Sequence, residues 1–216
     1  MPVRSQAGSP DPADFIRANL RQAPAPLVPE ILLYTAHSGS GLSRLGEGHA
    51  GEDALPPYWA YPWAGGIALA RYLLDHPAQV AGARVMDLGA GSGIVAIAAA
   101  MAGASEVRAV DIDRHAVAAT AINAAANGVT VASACGDPTG DPPAEADVIA
   151  VGDLFYDGAL ADRVLAYLDR CLDCGSAVLI GDPGRTWLPR GRLRQVAAYG
   201  TQRAPYAVFA LERARS

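Results

Sequence analysis

The sequence contains a glycine-rich loop and an acid further along the chain. These residue types at this spacing are typical of a ligand-binding site. The segment "VMDLGAGSG" places Gly89, Gly91 and Gly93 between an apolar run and a helical pattern. Glycines there let the backbone turn sharply and approach a ligand closely. Asp111 ends the next apolar run. A carboxylate about twenty residues after such a loop can accept hydrogen bonds from both hydroxyls of a ribose.

Asp87, which precedes the loop, indicates which kind of ligand the loop would bind. A carboxylate there suits a cationic amino group and suits a pyrophosphate poorly, because like charges close together are unfavourable. A ribose combined with an amino-acid tail describes S-adenosylmethionine, which we expect as the cofactor. A dinucleotide such as NAD is the alternative, since its binding loops carry a G-x-G-x-x-G pattern in the same position.

Two further acids follow apolar runs. Asp137 is placed to accept the adenine amino group, although in "GDPTGDPP" it also suits a turn. Asp153, in "GDLFYD", falls at the carboxyl edge of the expected sheet, where open α/β folds place their chemistry. Its structural alternative is a helix N-cap.

The bulk composition excludes several classes of protein. All 17 basic residues are arginine, which excludes P-loop and Schiff-base enzymes because both need a lysine. The net charge of −5 disfavours a general nucleic-acid binder. Cys171 and Cys174 form a C-x-x-C without a second ligand pair, so we expect reduced thiols, no metal site and a cytoplasmic location. We expect no membrane span, because no sufficiently long apolar run occurs.

Alternating apolar and helical runs from about residue 81 predict the fold that positions these groups. Strands that are apolar throughout and separated by helices form a parallel sheet covered on both faces. We therefore expect a Rossmann-like, doubly wound seven-stranded α/β sheet over residues 81–216, mostly parallel with a C-terminal antiparallel hairpin. Residues 1–80, rich in Pro, Gly and Ser, are predicted to form an extension of short helices and loops that supplies a lid and the substrate side. A further helix is expected between the fifth strand and the hairpin.

Five segments in order carry a resemblance to a known family: "PYWAYPWAGGIALARYLLD", "MDLGAGSGIVAIAAA", "AVDIDRHAVAATAINAAANGV", "VGDLFYD" and "IGDPGR". They resemble the class I, seven-β-strand methyltransferases, in the group of the electron transfer flavoprotein β-subunit lysine methyltransferases and their bacterial relatives. The resemblance implies S-adenosylmethionine as methyl donor, the lysine ε-amine of a protein as acceptor, and no metal. The acceptor protein it implies is the electron transfer flavoprotein β-subunit, and we expect a monomer.

The resemblance also implies roles for particular residues. The cofactor would be contacted by the three loop glycines, Asp111 and Trp63, and we place further residues beside it: Asp87, Ala90, Ile112, Asp137 and Gly152. Asp153 and Tyr156 form a D-x-x-Y-like element and are the expected catalytic pair. A neutral amine must attack, so Asp153 would hydrogen-bond and orient it.

The aromatic segment "PPYWAYPWAGG" would fold over the glycine loop as a lid. Tyr58 and Trp59 would face the acceptor amine, Phe155 would add to the aromatic wall, and Tyr61 would mostly pack internally. Asp182 and Arg185 of "GDPGR" either frame the substrate entrance or form a Pro-Gly turn. The seven arginines from Arg185 onward form either a docking surface for an acidic partner or a solvated face.

Other functions remain open from the sequence. One is an S-adenosylmethionine-dependent methyltransferase with a ribosomal protein or a small amine as acceptor. Two others belong to different classes: an NAD-dependent oxidoreductase, and a module that binds the cofactor without catalysis.

Overall fold

The chain is described by a computed structural model that covers residues 11–43, 45, 56–201 and 204–214. Its centre is a seven-stranded sheet with the strand order β5-β4-β3-β6-β7-β9-β8. The strands are β3 (Arg84–Leu88), β4 (Glu106–Asp111), β5 (Ala132–Cys135), β6 (Val148–Gly152), β7 (Ala177–Asp182), β8 (Leu193–Thr201) and β9 (Ala204–Leu211). The pairs among β3 to β7 are parallel, whereas β9 is antiparallel to both β7 and β8. The predicted fold class is confirmed.

Helices cover both faces of this sheet. Successive apolar side chains of β6 point to opposite faces, and both sets pack against helices. The helices are α2 (Ala64–Asp75), α3 (Ile94–Met101), α4 (Arg114–Ala126) and α5 (Gly158–Asp173). Val148 and Ala150 of β6 pack in the core with α2 and α3. Ile149 and Val151 pack on the other face, with α5.

The N-terminal part differs from the expected helices and loops. Helix α1 (Pro12–Asn19) is one of the expected short helices, but the hairpin of β1 (Arg21–Ala25) and β2 (Val28–Thr35) follows it. The proline content of residues 1–80 favoured loops, yet proline is tolerated on edge strands. The second strand is held by α4, where side chains of Asn127 and Asn123 accept from Leu32 N and Tyr34 N at 2.8 Å each.

The segment between β7 and β8 also differs from prediction. The expected helix is absent from it, and only a single 3₁₀ turn, Arg190–Arg192, precedes β8. Among the described residues, no helix is long and apolar enough to cross a membrane.

Candidate functional site

A cavity of about 320 Å³ lies at the carboxyl edge of the sheet, where β3, β4 and β6 end. That volume is in the range of small-molecule sites. Twelve residues singled out from the sequence line it: Tyr58, Trp59, Trp63, Gly89, Gly91, Asp111, Ile112, Asp137, Gly152, Asp153, Tyr156 and Arg185. Five others predicted for the site are not on its wall: Asp87, Ala90, Gly93, Phe155 and Asp182.

The glycine loop is tied to the end of β4 by backbone hydrogen bonds. Gly89 N donates to Val110 O at 2.8 Å, and Gly91 N donates to the Asp111 carboxylate at 2.8 Å. Gly89 and Gly91 have φ of 70° and 54°, a region in which glycine is strongly favoured. The loop therefore keeps a tight turn with its backbone exposed toward the cavity.

Two predicted loop contacts lie elsewhere. Ala90 is 9% exposed and packs in the core. Gly93 is needed for packing between helices, because a Cβ on it would lie 2.8 Å from Thr120 Cγ2. The structure thus places both residues behind the loop rather than on the cavity wall.

Asp111 presents spare acceptor capacity to the cavity. Its Oδ2 accepts from Gly91 N and its Oδ1 accepts from Asp113 N at 2.9 Å. Burial raises the pKa of this carboxyl, although the backbone hydrogen bonds oppose the shift. Each carboxylate oxygen can accept a second hydrogen bond, so Asp111 retains two acceptor positions, as a ribose diol requires.

Asp87 does not reach the cavity, contrary to the expectation that it meets a ligand's amino group. It is 1% exposed, and its Oδ2 accepts from Ala96 N in the first turn of α3 at 3.0 Å. Burial, partly offset by that hydrogen bond, raises the pKa of Asp87 to about 7. In this structure Asp87 fastens the helix after the loop to the sheet.

Asp137 forms the turn that the sequence allowed and also lines the cavity, and its contact with adenine stays a prediction. Its Oδ1 accepts from Thr139 N at 2.9 Å and Thr139 Oγ1 at 2.7 Å, so it caps a 3₁₀ turn, and it also lines the cavity. Burial raises the pKa of Asp137, but the two hydrogen bonds from Thr139 outweigh burial and the pKa is lowered.

Sequence reasoning missed one wall of the cavity, which α5 supplies through Leu160, Arg163 and Val164. These residues are spaced i, i+3 and i+4, so they share one face of a helix. Their spacing was a signal that a helix face meets the site. The segment after Asp137 adds Pro138 and Thr139 to the same wall.

The aromatic segment divides its rings between packing and the cavity mouth. Trp59 is 2% exposed and stacks on His115, with ring centroids 5.8 Å apart. Tyr58 and Trp63 stay partly exposed, with their ring centroids 5.7 Å apart, and the Trp63 indole N–H donates to Tyr58 O at 2.9 Å. Tyr156 lies 5.9 Å from Tyr58. The expectation for Tyr61 is wrong: it is 46% exposed, and Trp59 is the buried ring.

The aromatic segment ends with Gly65 and Gly66, which pack very close to the sheet. A Cβ on Gly65 would lie 2.2 Å from Gly181 O, and one on Gly152 would lie 3.1 Å from Gly66 Cα. Only hydrogen atoms fit between α2 and the ends of β6 and β7. This close approach brings Trp63, the N-cap of α2, over the cavity.

Asp153 is fixed by contacts from three elements. Its φ is 59°, which is uncommon for a residue with a side chain, and its N–H donates to Gly181 O at 3.0 Å. Its Oδ2 accepts from Gly66 N at 2.9 Å, and its Oδ1 accepts from Arg185 Nη2 at 2.9 Å. The Asp153 carboxylate therefore binds a backbone N–H in the first turn of α2. The helix that follows Asp153 in sequence, α5, has Asp157 as its N-cap.

Phe155 and Asp182 do not contact the cavity. Phe155 is fully buried in the core between α5 and the sheet, so its predicted place in the aromatic wall is wrong. Asp182 is also fully buried, and its Oδ1 accepts from Gly184 N at 2.6 Å and Arg185 N at 2.7 Å. Asp182 thus organises the turn that carries Arg185.

The C-terminal arginines that the structure describes are largely engaged within the chain. Arg192 pairs with Asp169 at 2.6 Å, and Arg213 donates to Leu172 O at 2.6 Å. Arg190 donates to Gly184 O at 2.7 Å. Docking of an acidic partner stays a prediction, and Arg203 and Arg215 lie outside the described residues.

Comparison with known proteins agrees with this architecture. Residues 69–152 match the family described as ribosomal protein L11 methyltransferase (PrmA). The electron transfer flavoprotein beta subunit lysine methyltransferase of Danio rerio is 46% identical over 141 residues, which cover 64% of this chain and 55% of that protein. Residues 69–152 of the chain are thus similar to a methyltransferase family.

Two solved structures resemble the fold of this chain. The ribosomal protein L11 methylase of Lactobacillus delbrueckii subsp. bulgaricus has a TM-score of 0.55 and 24% identity, covering 76% of this chain and 92% of that one. The magnesium protoporphyrin IX methyltransferase (ChlM) of Synechocystis PCC 6803, solved with bound SAM, has a TM-score of 0.51 and 16% identity, covering 69% and 78%. Identities this low show the fold alone.

The chain spans about half the length of the curated relatives it matches, 55% for the Danio rerio protein. The matched stretch includes the glycine loop and extends to Gly152, so it covers the end of the cavity formed by Gly89, Gly91 and Asp111. The glycine loop and the Asp111 carboxylate suit a nucleoside, whose ribose they could hold while apolar wall residues such as Ile112 contact its base.

Proposed function

We propose that the protein is a protein-lysine N-methyltransferase that uses S-adenosylmethionine and acts on the β-subunit of an electron transfer flavoprotein. One observation carries the proposal. A carboxylate, Asp153, lines the same cavity as the aromatic rings of Trp63, Tyr58 and Tyr156, and the glycine loop and Asp111 line it as well. Such a cavity is suited to bringing a nucleoside-bearing methyl donor and an amine together.

The donor end of the cavity matches the polar groups of the cofactor. Asp111 would accept the ribose hydroxyls, and Asp137 would accept the adenine amino group through an oxygen that Thr139 does not occupy. Gly89 and Gly91 would allow close approach of the ligand, and Ile112 would cover the base. When bound, S-adenosylmethionine supplies an electrophilic methyl group on a cationic sulfur. The role of Asp87 toward the amino group has no support in its position.

The acceptor end favours an amine in its neutral, attacking form. Aromatic rings exclude water, and loss of hydration disfavours an ammonium relative to a free amine, whose ordinary pKa is about 10.4 in lysine. The rings also attract the cation as it arrives, through their π faces. Asp153 accepts one N–H of the amine and thereby directs its lone pair toward the methyl group. Burial raises the pKa of Tyr156, so its hydroxyl stays a hydrogen-bond donor at neutral pH.

The name of the Danio rerio relative supports the flavoprotein β-subunit as acceptor, and its matched region covers more than half of this chain. The match to the L11 methyltransferase family supports a second candidate, methylation of a ribosomal protein. That match covers residues 69–152, which form the donor end and are shared by both activities, so it discriminates poorly between acceptors.

Transfer of a labelled methyl group to purified candidate proteins tests the proposal. The chain is incubated with labelled S-adenosylmethionine and either electron transfer flavoprotein or ribosomal protein L11, and modified residues are mapped by mass spectrometry. We expect label on lysines of the flavoprotein β-subunit. Label on L11 alone would favour the second candidate. Tight binding of S-adenosylhomocysteine by calorimetry without any transfer would indicate a non-catalytic module, and tight binding of NAD instead would indicate an oxidoreductase.

A further inference from the structure

Arg185 lies between two buried carboxylates at the mouth of the cavity. Its Nη2 is 2.9 Å from Asp153 Oδ1, and its Nε is 3.9 Å from Asp182 Oδ2. We infer that Arg185 is a positioning residue, which fixes the Asp153 carboxylate for the acceptor amine instead of contacting the substrate itself. This inference rests on the proposed function and adds a residue to it.

The turn after β7 is built to aim Arg185 at Asp153. Asp182 Oδ1 accepts from two successive backbone N–H groups, those of Gly184 and Arg185, and Gly184 has a φ of 93°. An acid that binds the backbone two and three residues ahead closes a tight turn. The turn sends the chain back, so that the arginine side chain lies against the carboxyl ends of β6 and β7.

The two carboxylates depend on this single guanidinium. Asp182 is fully buried and Asp153 is 7% exposed. Burial raises the pKa of Asp182, and the negative charge of Asp153 raises it further. The backbone N–H groups of Arg185 and Gly184 lower it, as does the charge of the Arg185 guanidinium to a smaller extent, and the pKa remains raised. Without Arg185, no cation would lie between the two buried carboxylates. Their repulsion would then be relieved by protonation of one carboxylate or by a rearrangement that moves them apart.

The orientation of Asp153 decides which oxygen meets the amine. Its Oδ2 is directed at Gly66 N, which anchors α2, so Oδ1 is the oxygen on the side of Arg185. A carboxylate oxygen accepts two hydrogen bonds, so Oδ1 can hold Arg185 and an amine N–H together. Arg185 thus sets the rotation of the carboxylate about its bond to Cβ.

An alternative would make Arg185 a placeholder that the acceptor lysine displaces. Its guanidinium does lie over the Trp63 ring, 5.8 Å from the centroid. Displacement would remove the counter-ion of Asp153 and Asp182 together, whereas one arriving lysine would replace it only at Asp153. The geometry therefore favours an arginine that stays and an amine that binds next to it.

Steady-state kinetics on Arg185→Gln and Arg185→Lys test the inference, with Arg190→Gln as the matched control. Arg190 lies on the same turn and binds Gly184 O, but it does not line the cavity. We expect Arg185→Gln to lower kcat by about ten- to a hundredfold, since small misplacements of a reacting group have effects of that size. Affinity for S-adenosylhomocysteine, measured by calorimetry, should stay within about twofold. Arg185→Lys should recover part of kcat, and Arg190→Gln should retain it.

A double-mutant cycle with Asp153→Asn separates positioning from a general loss of structure. If Arg185 acts through Asp153, the double variant is no slower than Asp153→Asn alone. Multiplicative losses in the cycle, an unchanged kcat in Arg185→Gln, or a lower acceptor KM in that variant would each overturn the inference. If Arg185→Gln does not fold, the same cycle with Arg185→Lys decides. A wild-type chain that binds S-adenosylhomocysteine but methylates no protein would overturn the proposed function, and the inference with it.

Discussion

The Asp153 carboxylate accepts a hydrogen bond from Gly66 N at 2.9 Å, although the two residues are 87 positions apart in the chain. This contact joins the aromatic segment to the carboxyl end of β6, so one acid anchors a helix and, in the proposed function, also orients the acceptor amine. Substitution by alanine would remove both roles at once. Asparagine keeps an acceptor for Gly66 N but removes the charge and the oxygen that accepts from Arg185, which makes it the informative change.

Asp153→Asn should lower the single-turnover methylation rate by about a hundredfold, a typical effect of losing a group that handles the reacting proton. Affinity for S-adenosylhomocysteine should be unchanged, because Asp111 and the glycine loop are not altered. Rapid-quench measurements with saturating cofactor provide the rate, and thermal unfolding checks the fold. Full turnover in this variant would remove Asp153 from the mechanism.

Gly65→Ala and Gly66→Ala form a matched pair that tests the close approach of α2 to the sheet. A Cβ at residue 65 would lie 2.2 Å from Gly181 O, whereas one at residue 66 would lie 3.4 Å from Ile94 Cγ2. We expect Gly65→Ala to lower the unfolding free energy by about 1–3 kcal/mol or more. Gly66→Ala should be neutral or stabilising by up to about 1 kcal/mol, since alanine favours helix. Urea unfolding measures both, and equal effects would contradict the packing argument.

Trp63→Ala should weaken binding of S-adenosylhomocysteine by about tenfold, which corresponds to about 1.4 kcal/mol and to the loss of one aromatic contact. Tyr61→Ala is the control, because Tyr61 is similarly exposed, 46% against 41% for Trp63, but does not line the cavity. Calorimetry on both variants gives the comparison. An unchanged affinity in Trp63→Ala, combined with a raised acceptor KM, would assign Trp63 to the acceptor side alone.

Asp87→Asn should change how stability depends on pH. The pKa of Asp87 is about 7 in the folded protein, against an ordinary value of 3.8. Between these values the folded state binds more protons than the unfolded state, so its contribution to stability is complete below pH 3.8 and decreases until about pH 7. The wild-type chain should therefore lose unfolding free energy over that window, by up to about 4 kcal/mol from this residue.

The asparagine variant should lack that loss, because its side chain does not ionise and still accepts from Ala96 N. The measurement is the difference in unfolding free energy between variant and wild type, at pH 5 and at pH 8 without cofactor. Asp111, whose pKa burial also raises, titrates in both proteins, and because its charge also raises the pKa of Asp87 its contribution cancels only in part. A difference that is the same at both pH values would show that Asp87 ionises normally in the fold.

Local patterns were enough to predict most of the donor end of the cavity. Gly89 follows β3, Asp111 is the last residue of β4 and Asp137 lies just beyond β5, and the carboxyl ends of these parallel strands meet at one edge of the sheet. Residue type and strand order therefore located them without coordinates. Three of the five departures from the predicted site, Asp87, Ala90 and Phe155, are next to residues of the cavity wall in sequence. Their side chains point to the opposite side of a strand or turn, which a pattern of residue types does not show.

The sequence by itself determined the fold class, the place of the glycine loop and the residue types gathered at the edge of the sheet, because apolar periodicity and chain order are local properties. Tertiary structure alone decided which group each oxygen of Asp153 binds, Gly66 N at Oδ2 and Arg185 Nη2 at Oδ1. Gly66, Gly181 and Arg185 converge on that residue from elements distant in the chain. Their hydrogen bonds exist only once α2 packs within contact distance of β6 and β7, and the absence of a Cβ on Gly65 and Gly152 makes that packing possible.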